Sequence, residues 1–309
     1  MFKYHIWALL LGTILEVFLG KQYYIANPFN AITAWIKYLD RALLGDDLIL
    51  LEPSKQKNFG MWLIVLVLFP VFAIVLFFML LAYEISPVVG IIFEAIASYY
   101  CLEANYTYNM AREMVATFYG DGFSEFKKQA GIFCKCDTEN LDMDEINERI
   151  VTKVANDAGD LCISPMLVMF LFGPVGGFIY KTIDAIDSVV GHKNKRYEFF
   201  GYYTAKLNQI VDCIPGRLSG YLAVFAARFT FGDFHWRNAR YIHLRDRMKA
   251  ISAFAGALEL SLKNGATGDG DKEIEVNDIN RAADLLRNMF FVCQFILVIL
   301  LVFWLLVFF

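Results

Sequence analysis

From Phe59 to Tyr83 the chain carries no charged side chain. A hydrocarbon layer about 30 Å thick is crossed by roughly 20 apolar residues in helical form. This run therefore reads as a membrane span, which Pro70 kinks without preventing insertion. Asn288 to Phe309 reads as a second span. Composition agrees, since 58% of the 309 residues are hydrophobic against about 45–50% in soluble domains. The formal net charge of -4 gives no support for nucleic-acid binding, which calls for a basic stripe.

Three further apolar stretches are marked. Residues 86–102 contain Glu94, residues 161–180 contain Gly173-Pro174-Val-Gly176-Gly177, and residues 210–229 contain Asp212, Pro215 and Arg217. Ionisable groups at membrane depth face a protein interior or a cavity, and Glu94 is expected to be a buried, hydrogen-bonded carboxyl. The first nineteen residues are apolar, with a single Lys, and run on into Lys21-Gln-Tyr-Tyr without a small-residue cleavage site. They are expected to form an uncleaved first membrane helix. The fold expected is all-α: a polytopic integral membrane protein with about five or six membrane-embedded helical segments and amphipathic cytoplasmic helices packed under the spans. Residues 1–309 are expected to make a single membrane domain.

The polar loops 20–58, 103–160, 181–209 and 230–288 hold 5, 6, 5 and 9 Lys plus Arg. The positive-inside tendency places all four in the cytoplasm, and a hairpin at Ser86-Pro87 keeps the first two on one side. If 161–180 and 210–229 both cross fully, residues 181–209 emerge on the far side. A re-entrant or half-buried 161–180, turned at its Gly-Pro break, returns them to the cytoplasm. The expectation is a multi-pass protein of the cell inner membrane with its polar site cytoplasmic. Loop 103–160 reads as a polar helical insertion, with helices over 102–118, 124–132 and 142–154 and a turn at Gly120-Asp121-Gly122. Asp144 and Glu145 sit in a first turn, where the helix dipole favours them. Residues 230–288 read as a polar cytoplasmic segment, with a flexible loop from Gly265 to Asp271 and a helix starting at Asp278.

No P-loop, GxSxG or HExxH motif is present. The histidines at 5, 192, 235 and 243 have no metal spacing among themselves. Six cysteines are scattered, and the single residue between Cys134 and Cys136 fits neither a zinc nor a redox pair, so all six read as free thiols.

The densest polar stretch is 181–201, KTIDAIDSVVGHKNKRYEFFG. Lys193, Lys195, Arg196 and, further on, Arg217 are suited to phosphate or carboxylate. Lysines and arginines that merely bind lipid headgroups account for the cations, but not for Asp184, Asp187 and Glu198 interleaved with them. Interleaving suggests a folded site, with a divalent metal held by carboxylates and phosphate oxygens as one form of it. A second acidic group, Asn156-Asp157-Ala-Gly-Asp160, puts two carboxylates on one helix face. Base, metal ligand and helix cap all stay open for it.

These residues resemble the CobD/CbiB family of membrane-bound cobinamide-phosphate synthases. The match is strongest over 180–220: Lys181, Asp187-Ser188, Gly191, Lys193-Asn194-Lys195-Arg196-Tyr197, Phe200-Gly201, Ala205-Lys206-Leu207 and Ile214-Pro215-Gly216-Arg217-Leu218. Elsewhere the chain departs. Of the family's Glu-Ser-x-x-Glu-Asn-x-x-Asp run, only Asp160 survives cleanly. Cys136 stands where the family has Arg, and Arg247-Met-Lys-Ala replaces Ser-Pro-Asn-x-Gly after Arg245-Asp246.

The resemblance implies an ATP-dependent amide ligase that joins adenosylcobyric acid to aminopropanol phosphate or ethanolamine phosphate, giving adenosylcobinamide phosphate. It implies ATP and Mg2+ as cofactors and an adenosylcorrinoid as substrate. Asp160, Asp187 and Lys181 are the expected catalytic residues, with Asp160 and Asp187 also holding metal. Lys193, Asn194, Arg196, Tyr197 and Arg217 are expected to bind the phosphorylated substrate. Expected partners are the corrinoid, the amino-alcohol phosphate, the lipid bilayer and other cobalamin-pathway proteins. Two other readings stand beside this one: a non-catalytic signalling relative resembling AmpE, favoured by the eroded acidic run, and a small-molecule transporter, suggested by the helices broken at Gly173-Pro174 and Pro215.

Overall fold

The computed structural model describes residues 2–20, 27–45, 52–192, 194–246, 249–262, 268–270 and 272–308. Lys193 and most of the glycine-rich 265–271 loop lie outside them. Thirteen α-helices are seen among these residues. They are α1 (Phe2–Leu19), α2 (Pro28–Leu44), α3 (Pro53–Ile85), α4 (Pro87–Cys101), α5 (Ala104–Gly120), α6 (Phe123–Cys134), α7 (Met143–Asp157), α8 (Ser164–Val190), α9 (Tyr202–Val211), α10 (Cys213–Phe229), α11 (Trp236–Asp246), α12 (Lys249–Leu258) and α13 (Val276–Phe308). A π-helical turn, Ala158–Ile163, joins α7 to α8.

Four helical stretches are long and apolar enough to cross a membrane: 53–85, 87–120, 143–190 and 276–307. The pair α9 and α10, broken at Asp212, makes a fifth if taken together. Expected helix ends are set by local chemistry. Asp142 and Glu145 form a reciprocal capping box at the start of α7, which satisfies two of the amides a helix N-terminus leaves unpaired. Ser86 caps α4, and Pro87 occupies its first turn, where a missing N–H costs nothing. At the Gly-Pro break α8 doubles back on itself, as the expected re-entrant turn requires: a Cβ on Gly177 would stand 2.5 Å from Met169 Cγ, and one on Gly176 3.2 Å from Val168 Cγ1, eight residues earlier in each case. Gly173 adopts a left-handed φ of 63° while the helix continues on both sides.

The chain packs as two compact units. The first comprises residues 1–15, 22–102 and 165–213, and the second comprises 16–21, 103–164 and 214–309. In the first unit, the apolar face of α2 (Ile36, Leu39, Leu44) meets Leu63 and Val67 of α3, Ile186 and Val190 of α8, and Phe200. Burying one such side chain away from water stabilises by about 1.5–3 kcal/mol. This cluster takes in Phe200 and packs against Tyr197, and so fixes the place of the polar 194–201 segment. Two glycines make the fit possible. A Cβ on Gly60 would run into the Phe200 carbonyl, and one on Gly201 into the Val190 carbonyl.

In the second unit, α11 packs against α12, and α13 against α5 and α7. Asp278, buried in the first turn of α13, bonds the Glu275 amide and pairs with Arg281 at 2.7 Å and Lys272 at 3.3 Å. The helix start expected at this residue is thereby anchored. All six cysteines are free thiols. Burial pushes the Cys134 thiol up to about 12, so it stays protonated at neutral pH and is a poor nucleophile.

Candidate functional site

Residues 194–201 fold into consecutive turns between α8 and α9. Asn194 starts them, its side-chain oxygen accepting the Tyr197 amide at 2.9 Å. Asn194 is therefore a turn-former, a role open to asparagine through exactly this local bond. The next two side chains leave the turn for α2. The Tyr197 hydroxyl donates to Asp40 Oδ2 at 3.0 Å, and Arg196 Nη2 lies 3.4 Å from the same oxygen. Burial alone would lower the Arg196 pKa, but the Tyr197 bond and the Asp40 charge outweigh it and raise it. Burial, with the Asp40 charge and hydrogen bond, raises the Tyr197 pKa against the pull of Arg196. Arg196 thus stays charged and Tyr197 stays a phenol.

Asp40 was not among the residues singled out in the sequence. Its signal is there: Ile36 and Leu44 lie four residues to either side of it, on the face that α2 buries. A carboxylate in an apolar stripe demands partners.

The outer side of the turns walls an open cleft of about 690 Å3. His192, Lys195, Tyr197 and Glu198 line it from the turns, and Tyr202 and Lys206 from α9. Arg196 is not among its lining residues. Among the described residues, the cations on the cleft are thus Lys195 and Lys206, with His192 beside them. Lys57 at the start of α3 stands 4.5 Å from the Tyr202 ring centroid, close enough for a cation–π contact that steadies the mouth of α9.

Asp187, on the last turns of α8, accepts from Asn208 of α9 at 2.9 Å through Oδ2, while its Oδ1 is buried without a hydrogen-bond partner. Lys181 is buried six residues earlier, its ammonium 5.9 Å from the Phe29 ring centroid.

The other expected residues belong to the second unit. Asp160 lies on the π turn, and Lys249 donates to it at 3.0 Å. Asp157, one turn before, is paired with Lys153. The two carboxylates that could share a face therefore each have their own lysine. The π turn contributes, because its i→i+5 bonds loosen the α-helical spacing. Lys249 comes from the very segment where the chain departs from Ser-Pro-Asn-x-Gly. Arg217 is exposed on α10.

Among the described residues, no three His, Cys, Asp or Glu side chains gather as a metal site. Mg2+ keeps several waters and is held by one or two carboxylates plus substrate phosphates, so a full cage is not required. Asp187 fits that chemistry through its unpartnered Oδ1, and so does Asp40, whose Oδ1 is likewise buried and unpaired. Asp160 fits less well, because a lysine ammonium already balances its charge.

A polytopic helical protein with a cation-lined cleft is the class that the fold and the site define. The family model described as CobD/Cbib protein matches residues 9–289, and the chain belongs to that family. It is 26% identical over 306 residues to the cobalamin biosynthesis protein CobD of Clostridium perfringens, covering 92% of this chain and 94% of that one. The CobD protein of Listeria monocytogenes serovar 1/2a is 29% identical, over 88% of this chain and 91% of its own. That of Brucella suis is 30% identical, over 75% and 77%. No solved structure matches.

Proposed function

We propose that this chain is a membrane amide ligase of cobalamin biosynthesis, joining the free propionate of adenosylcobyric acid to the amine of an amino-alcohol phosphate to give adenosylcobinamide phosphate. The observation that carries the reading is the segment bearing the family's Lys-Asn-x-Arg-Tyr pattern. It is a built structure, locked to α2 through Asp40, and it turns Lys195 and Lys206 onto a cleft.

In this reading Lys195 and Lys206 hold the phosphate of the amino alcohol. Fixed cations aimed at an anionic group are among the largest contributions a site can make. Asp187 takes the proton that the attacking ammonium must lose, with Asn208 fixing its orientation. Arg196 and Tyr197 position the turn through Asp40. ATP with Mg2+, when bound, would supply the activation that turns the propionate oxygen into a leaving group, and Asp187 and Asp40 are the carboxylates suited to the metal. Two phosphorylated amines, aminopropanol phosphate and ethanolamine phosphate, suit the cleft equally. The inner membrane, with the 191–209 segment on the cytoplasmic side where ATP is found, is the location this chemistry requires. Cysteine-accessibility labelling at position 195 from each side tests the sidedness.

A strain lacking its own synthase provides the functional test. Expression of this chain is expected to restore growth on cobyric acid, while the empty strain grows only on cobinamide. Failure to restore growth, with the protein present in the membrane, would reject the ligase reading. One observation favours a second reading, a non-catalytic AmpE-like relative: both carboxylates at the π turn, Asp157 and Asp160, are paired with lysines. Under it, growth on cobyric acid is not restored.

A further inference from the structure

Within the first unit a second cavity, of about 270 Å3, lies where Tyr83, near the C-terminal end of α3, meets α4 and the break in α8. The polar cleft adjoins Lys57, at the other end of α3. At 1.5 Å per residue the two lie roughly 40 Å apart along the helix, so the cavity is no part of the cleft.

Its wall is mostly apolar, with Phe170 and Phe172 prominent, and no lysine or arginine lines it among the described residues. One ionisable pair faces it. Glu94 accepts from the Tyr83 hydroxyl through Oε2 and meets His5 Nδ1 through Oε1. Glu94 is 4% exposed. A carboxylate has about four acceptor positions, so capacity remains after these two bonds. Directly in front of it stands Gly173, in the left-handed region. A Cβ there would come 3.8 Å from Glu94 Oε1, so the missing side chain leaves the approach open.

Ionisable groups at membrane depth mark functional sites by default, and helices broken beside them supply backbone acceptors to cations. We propose that this cavity binds a small organic cation, a primary ammonium on a short apolar body. The ammonium sits against Glu94, and the body lies among the aromatic rings, whose faces attract cations. An anion would be repelled by Glu94. A neutral apolar molecule would leave the acceptors unused, and a bare metal ion would leave the apolar wall unfilled. The same ammonium occurs on free amines and on the ethanolamine headgroup of phospholipids. The proposal is independent of the ligase reading.

Calorimetric titration of the full-length protein in detergent tests it, with benzylamine hydrochloride as probe and benzyl alcohol as its uncharged counterpart. Saturable binding of the amine is expected, with the alcohol at least tenfold weaker. Glu94→Gln keeps the shape and removes the charge, and is expected to weaken amine binding at least tenfold. Should that variant fail to fold, Leu171→Trp decides: this exposed position on the cavity wall tolerates bulk, and filling the space is expected to cost the same affinity with Glu94 intact. Nanodiscs separate the two sources. Phosphatidylethanolamine in a phosphatidylcholine disc raises the apparent Kd of the probe at least threefold if the headgroup is the occupant, and leaves it unchanged if a free amine is. Equal binding of the alcohol, or undiminished amine binding in the folded variants, overturns the proposal.

Discussion

The turns at 194–201 and the π turn at 158–163 are both rich in charge, yet they handle it in opposite ways. At 194–201, Asp40 satisfies Arg196 and Tyr197 from beneath, while Lys195 and Lys206 face a cleft with one carboxylate, Glu198, on its wall among the described residues. At the π turn, Lys153 pairs with Asp157 and Lys249 with Asp160. The first arrangement leaves positive charge directed at a space that a ligand can enter. The second neutralises itself. The segment that keeps the family's pattern is the one with unspent charge, and the segment that departs from it has acquired its own counter-ions.

The widest separation between the two regions is expected from Asp40→Ala. It strips a half-buried guanidinium and a phenol of their common acceptor. Losing a hydrogen-bonded partner of a charged group costs about 1.5–3 kcal/mol, and the partial exposure of Arg196 argues for the lower end. Cobinamide phosphate formation is expected to fall at least a hundredfold while the protein still inserts, with Asp40→Glu recovering part of it. Gly60→Ala comes next. Its Cβ displaces Phe200, overpacking of this kind costs about 1–3 kcal/mol, and the turns shift with it. Activity is expected to drop roughly tenfold or more, with membrane insertion unchanged on a blot of the membrane fraction.

Lys195→Ala and Lys206→Ala sharpen the comparison further. Each is expected to raise the KM for the amino-alcohol phosphate about tenfold, the worth of one charge-assisted bond, and to change kcat little. On the other side, Asp160→Asn and Lys249→Ala remove an ion pair that is largely exposed, worth at most about 1 kcal/mol. Activity changes under threefold are expected, and a large loss from Asp160→Asn would put the π turn back into the catalytic machinery.

The smallest effect concerns pH. His243 is buried in the second unit against Ser252, at 2.8 Å, and burial lowers its pKa from the ordinary 6.5. Unfolded, this histidine takes a proton below that value; folded, it resists until the pH is lower still. The unfolded state then binds more protons, so stability declines as pH falls below about 6.5. Thermal unfolding between pH 7.5 and 5.5 checks this, and His243→Gln should flatten its share of the slope.

Much of this was legible in the sequence. Uncharged runs fixed the spans, because lipid tolerates little else. The three helices of the 103–160 insertion were foretold by local signals, and the capping box at Asp142 shows why: cap chemistry lies within four residues. Free cysteines followed from spacing alone. What the sequence hid is long-range. Arg196 reads as a phosphate ligand, and nothing in the sequence points to Asp40, on another helix, as its partner. Lys249 reads as erosion of a motif until its ammonium meets Asp160, 89 positions away. Asn194, expected as a substrate contact, lines the cleft and also closes its own turn through its side-chain oxygen. Lys206 drew notice only as part of a motif, although its helical register puts it on the cleft.

The central claim is that the cleft beneath Lys195 and Lys206 holds the phosphate of an amine destined for amide formation. Membranes carrying the chain, from a host without a synthase, can be supplied with adenosylcobyric acid, ATP, Mg2+ and aminopropanol phosphate or ethanolamine phosphate, and the corrinoid products separated by chromatography. Adenosylcobinamide phosphate is expected from the unaltered protein and is expected to form about a hundredfold more slowly in the Lys195→Ala, Lys206→Ala double variant at the same amino-alcohol phosphate concentration, held below KM. Product formed equally well by both would contradict the account.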